Sequence, residues 1–129
     1  MDEERYRQGL QVRREVLGAD YVDAQLAKGS DAFGEPMQQM VTEFCWGGLW
    51  TRDGLSRRER SLMNLVMLMA LNRGHEFKLH VRGALNNGLT AEDIREAILH
   101  ASAYLGLPAA VEATRLAREV LAEAGLTPP

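Results

Sequence analysis

Apolar residues recur at intervals of three and four through most of the chain, and turn residues cut that rhythm into segments of helical length. Over Glu3 to Leu17, the residues Tyr6, Leu10, Arg13 and Leu17 share one side, with the aliphatic stem of Arg13 able to lie along it; Gly18 follows where a left-handed stop is common. A short helix is expected from Asp20 to Lys28, closed by Gly29-Ser30. Over Pro36 to Trp50, Met37, Met40, Val41, Phe44, Cys45 and Leu49 keep the spacing of one apolar helix face, with Pro36 suited to its first turn.

After the turn at Asp53-Gly54, Ser56-Arg57-Arg58-Glu59 has the form of a capping box and predicts a helix over about Arg57 to Asn72. That helix is apolar around almost its whole circumference from Leu62 to Leu71, which places it centrally or in a subunit interface. Gly74 and Gly88 bracket a helix over His75 to Asn87, and Thr90-Ala91-Glu92-Asp93 is a cap that opens the next, to about Tyr104. Gly106 and Pro108 punctuate before a last helix, Ala109 to Ala124, with Gly125 as its stop and Pro128-Pro129 as a frayed tail. No run alternates with period two, so the expected fold is all-α: one domain over residues 1–129, a helical bundle of about six helices.

An apolar fraction of 46% supports an ordinary core, and 129 residues is a usual size for one domain. The net charge of -3, with Lys and Arg interleaved among Asp and Glu, leaves no basic footprint and argues against nucleic acid. Leu62 to Leu71 is about half the roughly 20 residues that span a bilayer, and Asn64 interrupts it, so no membrane role is expected. Met1-Asp2-Glu3-Glu4-Arg5 does not resemble a signal peptide, and a cytoplasmic location is the expectation. Cys45 is the only cysteine, which excludes chemistry needing two thiols in one chain. Chains of this size with so apolar a helix commonly self-associate, and a homo-oligomer is expected.

The helix His75 to Asn87 divides into three faces. Phe77, Val81, Ala84 and Leu85 form a core face, whereas His75, Lys78, Arg82 and Asn86 form a solvated one. Glu76, His80, Gly83 and Asn87 form a narrow third stripe, in which the Glu76 carboxylate can orient the His80 imidazole and raise its pKa, with room beside Gly83 for a small molecule. The competing reading is an ordinary helix ion pair. Asn64 either satisfies a backbone group within the core or faces a cavity and binds an acyl oxygen. Arg57, Arg58 and Arg60 either clamp a carboxylate or are simply solvated at a helix start. Trp46 is a candidate cavity wall, against the plainer reading of core or interface packing; His100, near Tyr104, reads as structural. His75, His80 and His100 lack metal-motif spacing, so no metal is expected, and neither a phosphate loop nor a Gly-x-Ser-x-Gly elbow is present.

Trp46-Gly47-Gly48-Leu49-Trp50-Thr51-Arg52-Asp53-Gly54-Leu55, then Arg57-Arg58-Glu59-Arg60-Ser61-Leu62 and Ala70-Leu71-Asn72-Arg73-Gly74, resemble the carboxymuconolactone decarboxylase family. So do Leu79-His80-Val81-Arg82-Gly83-Ala84, Asn86-Asn87-Gly88-Leu89-Thr90, Glu92-Asp93-Ile94-Arg95-Glu96 and Tyr104-Leu105-Gly106-Leu107-Pro108-Ala109-Ala110. With Arg5-Tyr6 and Val12-Arg13-Arg14-Glu15-Val16-Leu17-Gly18, the resemblance covers nearly the whole chain. It implies an alkyl hydroperoxidase D-like helical fold assembled into rings, commonly trimers or hexamers. The hydroperoxidase branch uses Cys-x-x-Cys-x-x-x-His, and here Arg73, His75, Glu76 and His80 occupy that frame without either cysteine, so thiol peroxidase chemistry is not implied. Two stretches depart from the family's decarboxylases: His75-Glu76-Phe77 stands where Glu-Glu-Leu is usual, and Leu105, Leu107 and Val111 replace Cys, Val and Asn.

The resemblance implies loss of carbon dioxide from 4-carboxymuconolactone, a small carboxylate lactone, with His80 as proton shuttle and Glu76 orienting it. In that frame Arg58 or Arg60 holds a carboxylate, and Asn64 and Trp46 shape the cavity. No cofactor is needed, because the conjugated lactone is its own electron sink. The same scaffold acting on another small acid by proton transfer, or serving as a non-catalytic oligomeric accessory protein, remains open.

Overall fold

A computed structural model describes residues 1–126; the expected Pro128-Pro129 tail lies outside them. Seven α-helices and one π-helical segment account for the regular structure, and among the described residues there is no strand. The elements are α1 (Glu3–Leu17), α2 (Ala19–Lys28), α3 (Glu35–Met40), the π-helical segment Val41–Leu49, α4 (Arg57–Ala70), α5 (Gly74–Asn86), α6 (Ala91–Leu105) and α7 (Leu107–Glu123). The chain forms two compact units, Met1–Ser56 and the part from Arg57 onward.

In the first unit α1 packs along the π-helical segment. Backbone meets backbone there: a Cβ at Gly9 would lie 2.0 Å from the Thr42 carbonyl oxygen, and one at Gly47 would lie 2.2 Å from the Arg5 carbonyl oxygen. Asp2 caps α1 by accepting from the Arg5 amide, with Glu3 and Glu4 favourably placed in the first turn.

The Pro36 to Trp50 reading needs correction. Helix geometry continues past Met40 only by widening to a π turn, in which the Trp50 amide reaches back five residues to the Cys45 carbonyl. The buried face is also a different one: Thr42, Trp46, Gly47 and Trp50 are buried, whereas Met37, Met40, Phe44 and Leu49, expected on one face, stand 60%, 61%, 62% and 41% exposed.

The second unit is a four-helix assembly in which α4 packs on α5, α6 and α7, and α7 also covers α5 and α6. Its core gathers Leu65 and Met69 of α4, Phe77, Val81 and Ala84 of α5, Ile94, Ile98 and Ala101 of α6, and Ala113, Leu116, Ala117 and Val120 of α7. Thr90 and Asp93 form the expected capping box at α6. The circumference of α4 is not uniformly covered: Met63, Met67 and Leu71 form an exposed stripe opposite Leu65 and Met69. No helix among the described residues is long and apolar enough to cross a membrane.

Candidate active site

The turn between α4 and α5 sets the site. Asn72 adopts φ +57, the left-handed conformation that Asn tolerates better than most residues, and the Arg73 amide returns to the Leu68 carbonyl at 3.0 Å. The chain thereby doubles back, and α5 lies along α4 with its third stripe against the polar positions of that helix.

Two polar rungs cross the seam. Asn64 Nδ2 approaches His80 Nδ1 at 3.4 Å, and nearer the other end Asn87 Nδ2 donates to Ser61 Oγ at 2.9 Å. Ser61 is buried, and its hydroxyl supplies the acceptor that the Asn87 amide requires there. The Asn64 amide meets the ring at Nδ1, with donor and acceptor roles set by the tautomer.

Glu76 lies one turn before His80, as expected, but its effect on the imidazole is the smaller one. Burial pushes the His80 pKa down, and the exposed Glu76 carboxylate only partly opposes it. Glu76 raises this pKa, as expected, but burial of the ring outweighs it and the net shift is downward, because water screens a carboxylate outside the seam. Gly83 is buried on the same stripe.

The remaining residues separate. Arg58 donates to the Gly88 carbonyl at 3.2 Å and to Asp93 Oδ2 at 3.0 Å, tying the start of α4 to the α6 cap and holding the Asp93 carboxyl well below the usual carboxylate range. Arg60 is half-buried one turn before Asn64 on α4. Trp46 belongs to the first unit, where it is buried and stacks on Trp50 with ring centroids 4.8 Å apart. His100 is exposed and tilts against Tyr104 at 5.3 Å. Asn64, His80 and Glu76 thus come together; Arg58 is turned to Asp93. Ser61 was not anticipated, since a serine beside an arginine run carries no sign of the partner that a tertiary contact will give it. Among the described residues no group of three His, Cys, Asp or Glu side chains is placed to hold a metal ion.

Residues 35–119 match the profile of the carboxymuconolactone decarboxylase family. The chain belongs to that family. A 4-carboxymuconolactone decarboxylase of Acinetobacter baylyi is 44% identical over 98% of this chain and 94% of its own length. A nitrosuccinic acid decarboxylase of Metarhizium robertsii is also 44% identical, over 84% of this chain and 75% of its own. An uncharacterised 15.0 kDa protein of Paracoccus denitrificans is 31% identical over 64% of this chain and 63% of its own. In this member of the carboxymuconolactone decarboxylase family, the seam sets the His80 imidazole beside the Asn64 amide and one helical turn from the Glu76 carboxylate.

Proposed function

We propose that this chain is a cofactor-independent carboxy-lyase acting on 4-carboxymuconolactone, with His80 delivering the proton. The observation that carries the reading is the Asn64–His80–Glu76 arrangement in a chain that is 44% identical, over almost its full length, to a relative named for that substrate. Loss of the γ-carboxylate sends its electrons through the ring double bond to the lactone carbonyl, giving a dienolate that must take a proton at the α carbon. Burial favours the neutral form of His80, and an anionic substrate settling beside it would oppose that effect and raise its proton affinity. Glu76 steadies the resulting imidazolium, and Asn64 fixes which nitrogen faces the substrate. Arg60 is proposed to hold a substrate carboxylate, because it stands half-buried on α4 one turn before Asn64 and its planar guanidinium suits a carboxylate's two oxygens.

A second substrate is favoured by the equal identity to the nitrosuccinic acid decarboxylase. A nitro group, like a conjugated lactone, accepts the electrons left by departing carbon dioxide, so the same proton donor would serve both. Following carbon dioxide release from both acids separates the two readings.

We further propose a cytoplasmic homo-oligomer, a trimer or hexamer. The exposed Met63, Met67 and Leu71 of α4 and Met37, Met40 and Phe44 of the first unit support it, since apolar stripes of this kind commonly mark association surfaces. Light scattering should give a mass three or six times 14.4 kDa, and a mass of one chain would refute it.

A further inference from the structure

Arg13 on α1 is only 6% exposed, which is unusual for a permanently charged side chain. Its Nη1 donates to Gln38 Oε1 at 3.0 Å and to Thr42 Oγ1 at 3.1 Å, both neutral acceptors, while its buried Nε makes no hydrogen bond. Among the described residues no carboxylate pairs with it; the groups that act on its charge are Tyr21, Tyr6 and Cys45. A guanidinium taken out of water normally has an anion against it, because two neutral acceptors do not replace the hydration it has lost.

The first unit is otherwise well supplied with ion pairs. Arg7 meets Glu4 and Arg14 meets Asp23, both at the surface where pairing contributes least. Arg13, buried and without a carboxylate among the described residues, has most to gain from an anion. It also lies against the π-helical segment, which carries Thr42 and Cys45, and π turns are frequent at functional sites.

We propose that Arg13, Gln38 and Thr42 form a binding site for a small organic carboxylate, one oxygen of which replaces Gln38 Oε1 on the guanidinium. Gln38 is half-buried at the end of α3, and turning its side chain outward opens the position. The incoming bond is charge-assisted and stronger than the amide bond it displaces, and the guanidinium edge suits a carboxylate's two oxygens. Thr42, fully buried, holds the guanidinium in place throughout. None of these residues belongs to the His80 seam, so the two assignments fail separately.

Cys45 provides a reporter. Burial pushes its thiol pKa up and the Arg13 charge pulls it down, so an anion seated on Arg13 weakens that pull and lowers the thiolate fraction. The test uses the full chain with acetate, and with chloride at equal ionic strength. Saturating acetate should slow alkylation of Cys45 by iodoacetamide about threefold and raise the melting temperature by about 3 °C, whereas chloride should do neither. Gln38→Glu supplies a resident carboxylate: its Cys45 should alkylate slowly from the outset and ignore acetate. Arg13→Met should lose the response. If that variant does not fold, Gln38→Glu still decides, because a Cys45 rate equal to wild type there would overturn the proposal. Equal responses to acetate and chloride, or no response in wild type, would also overturn it.

Discussion

Two adjacent glycines of the π-helical segment should respond oppositely to the same substitution. At Gly47 an added Cβ would stand 2.2 Å from the Arg5 carbonyl oxygen, 2.8 Å from Arg5 Cγ and 3.0 Å from the Arg5 carbonyl carbon. Backbone atoms cannot rotate away, so α1 would have to withdraw by about an ångström to restore ordinary contact. That withdrawal strains the whole seam, including the 3.1 Å bond from Arg13 to Thr42. Overpacking costs about 1–3 kcal/mol and a weakened bond to a charged donor about 1.5–3, against which replacing glycine in a helix returns at most about 1. Gly47→Ala should therefore lose about 2–4 kcal/mol, a fall in melting temperature of roughly 10 °C. At Gly48 the same Cβ meets only the Glu43 carbonyl oxygen at 3.6 Å and Arg5 Cδ at 3.9 Å, ordinary contacts, so Gly48→Ala should be neutral or gain up to about 1 kcal/mol. Thermal melts of both variants beside wild type, followed by circular dichroism, make the comparison. Equal melting temperatures for the two variants would refute the close-approach argument, because helix propensity alone treats them alike.

Other expectations follow from the second unit. Because the His80 pKa is depressed below its ordinary 6.5, the unfolded chain binds a proton there before the folded one does. Its contribution to stability is complete above pH 6.5 and is lost as pH falls through the folded value; His80→Gln should flatten that part of a denaturant titration, and an unchanged pH dependence would contradict the burial of the ring. Thr90→Ala removes the α6 cap and should cost about 1 kcal/mol by urea denaturation, with turnover little affected. Arg60→Ala should raise KM at least tenfold by weakening the hold on a substrate carboxylate, whereas Arg58→Ala should leave KM within about twofold; steady-state kinetics showing the reverse would exchange their roles.

Much of the second unit was legible before any coordinates. The three faces of His75 to Asn87 follow from a 100° step per residue, and Phe77, Val81 and Ala84 are buried as that step requires. Thr90 with Asp93 announces its own cap, since both partners lie within four residues. Contacts remote in sequence were less visible. Nothing local tells that Asn64 will meet His80 or that Ser61 will meet Asn87, because both depend on how α5 returns along α4. The faces of Pro36 to Trp50 escape the pattern for a different reason: the buried side is Thr42, Trp46, Gly47 and Trp50, where a hydroxyl and a glycine meet α1 and carry no apolar signal, while the apolar Met37, Met40 and Phe44 stay exposed. Arg13 was seen as a stem lying along an apolar face, but its neutral partners come from α3 and the π-helical segment, well beyond the reach of local pattern.

The measurement that bears most directly on the proposed chemistry is carbon dioxide release from 4-carboxymuconolactone by wild type and His80→Gln, with the folded state of the variant checked by circular dichroism. Rapid release by wild type, reduced about 10²–10⁴-fold in a folded variant, is the expected result. Equal turnover in both would remove His80 from the reaction, and absence of turnover in wild type would remove this lactone as the substrate.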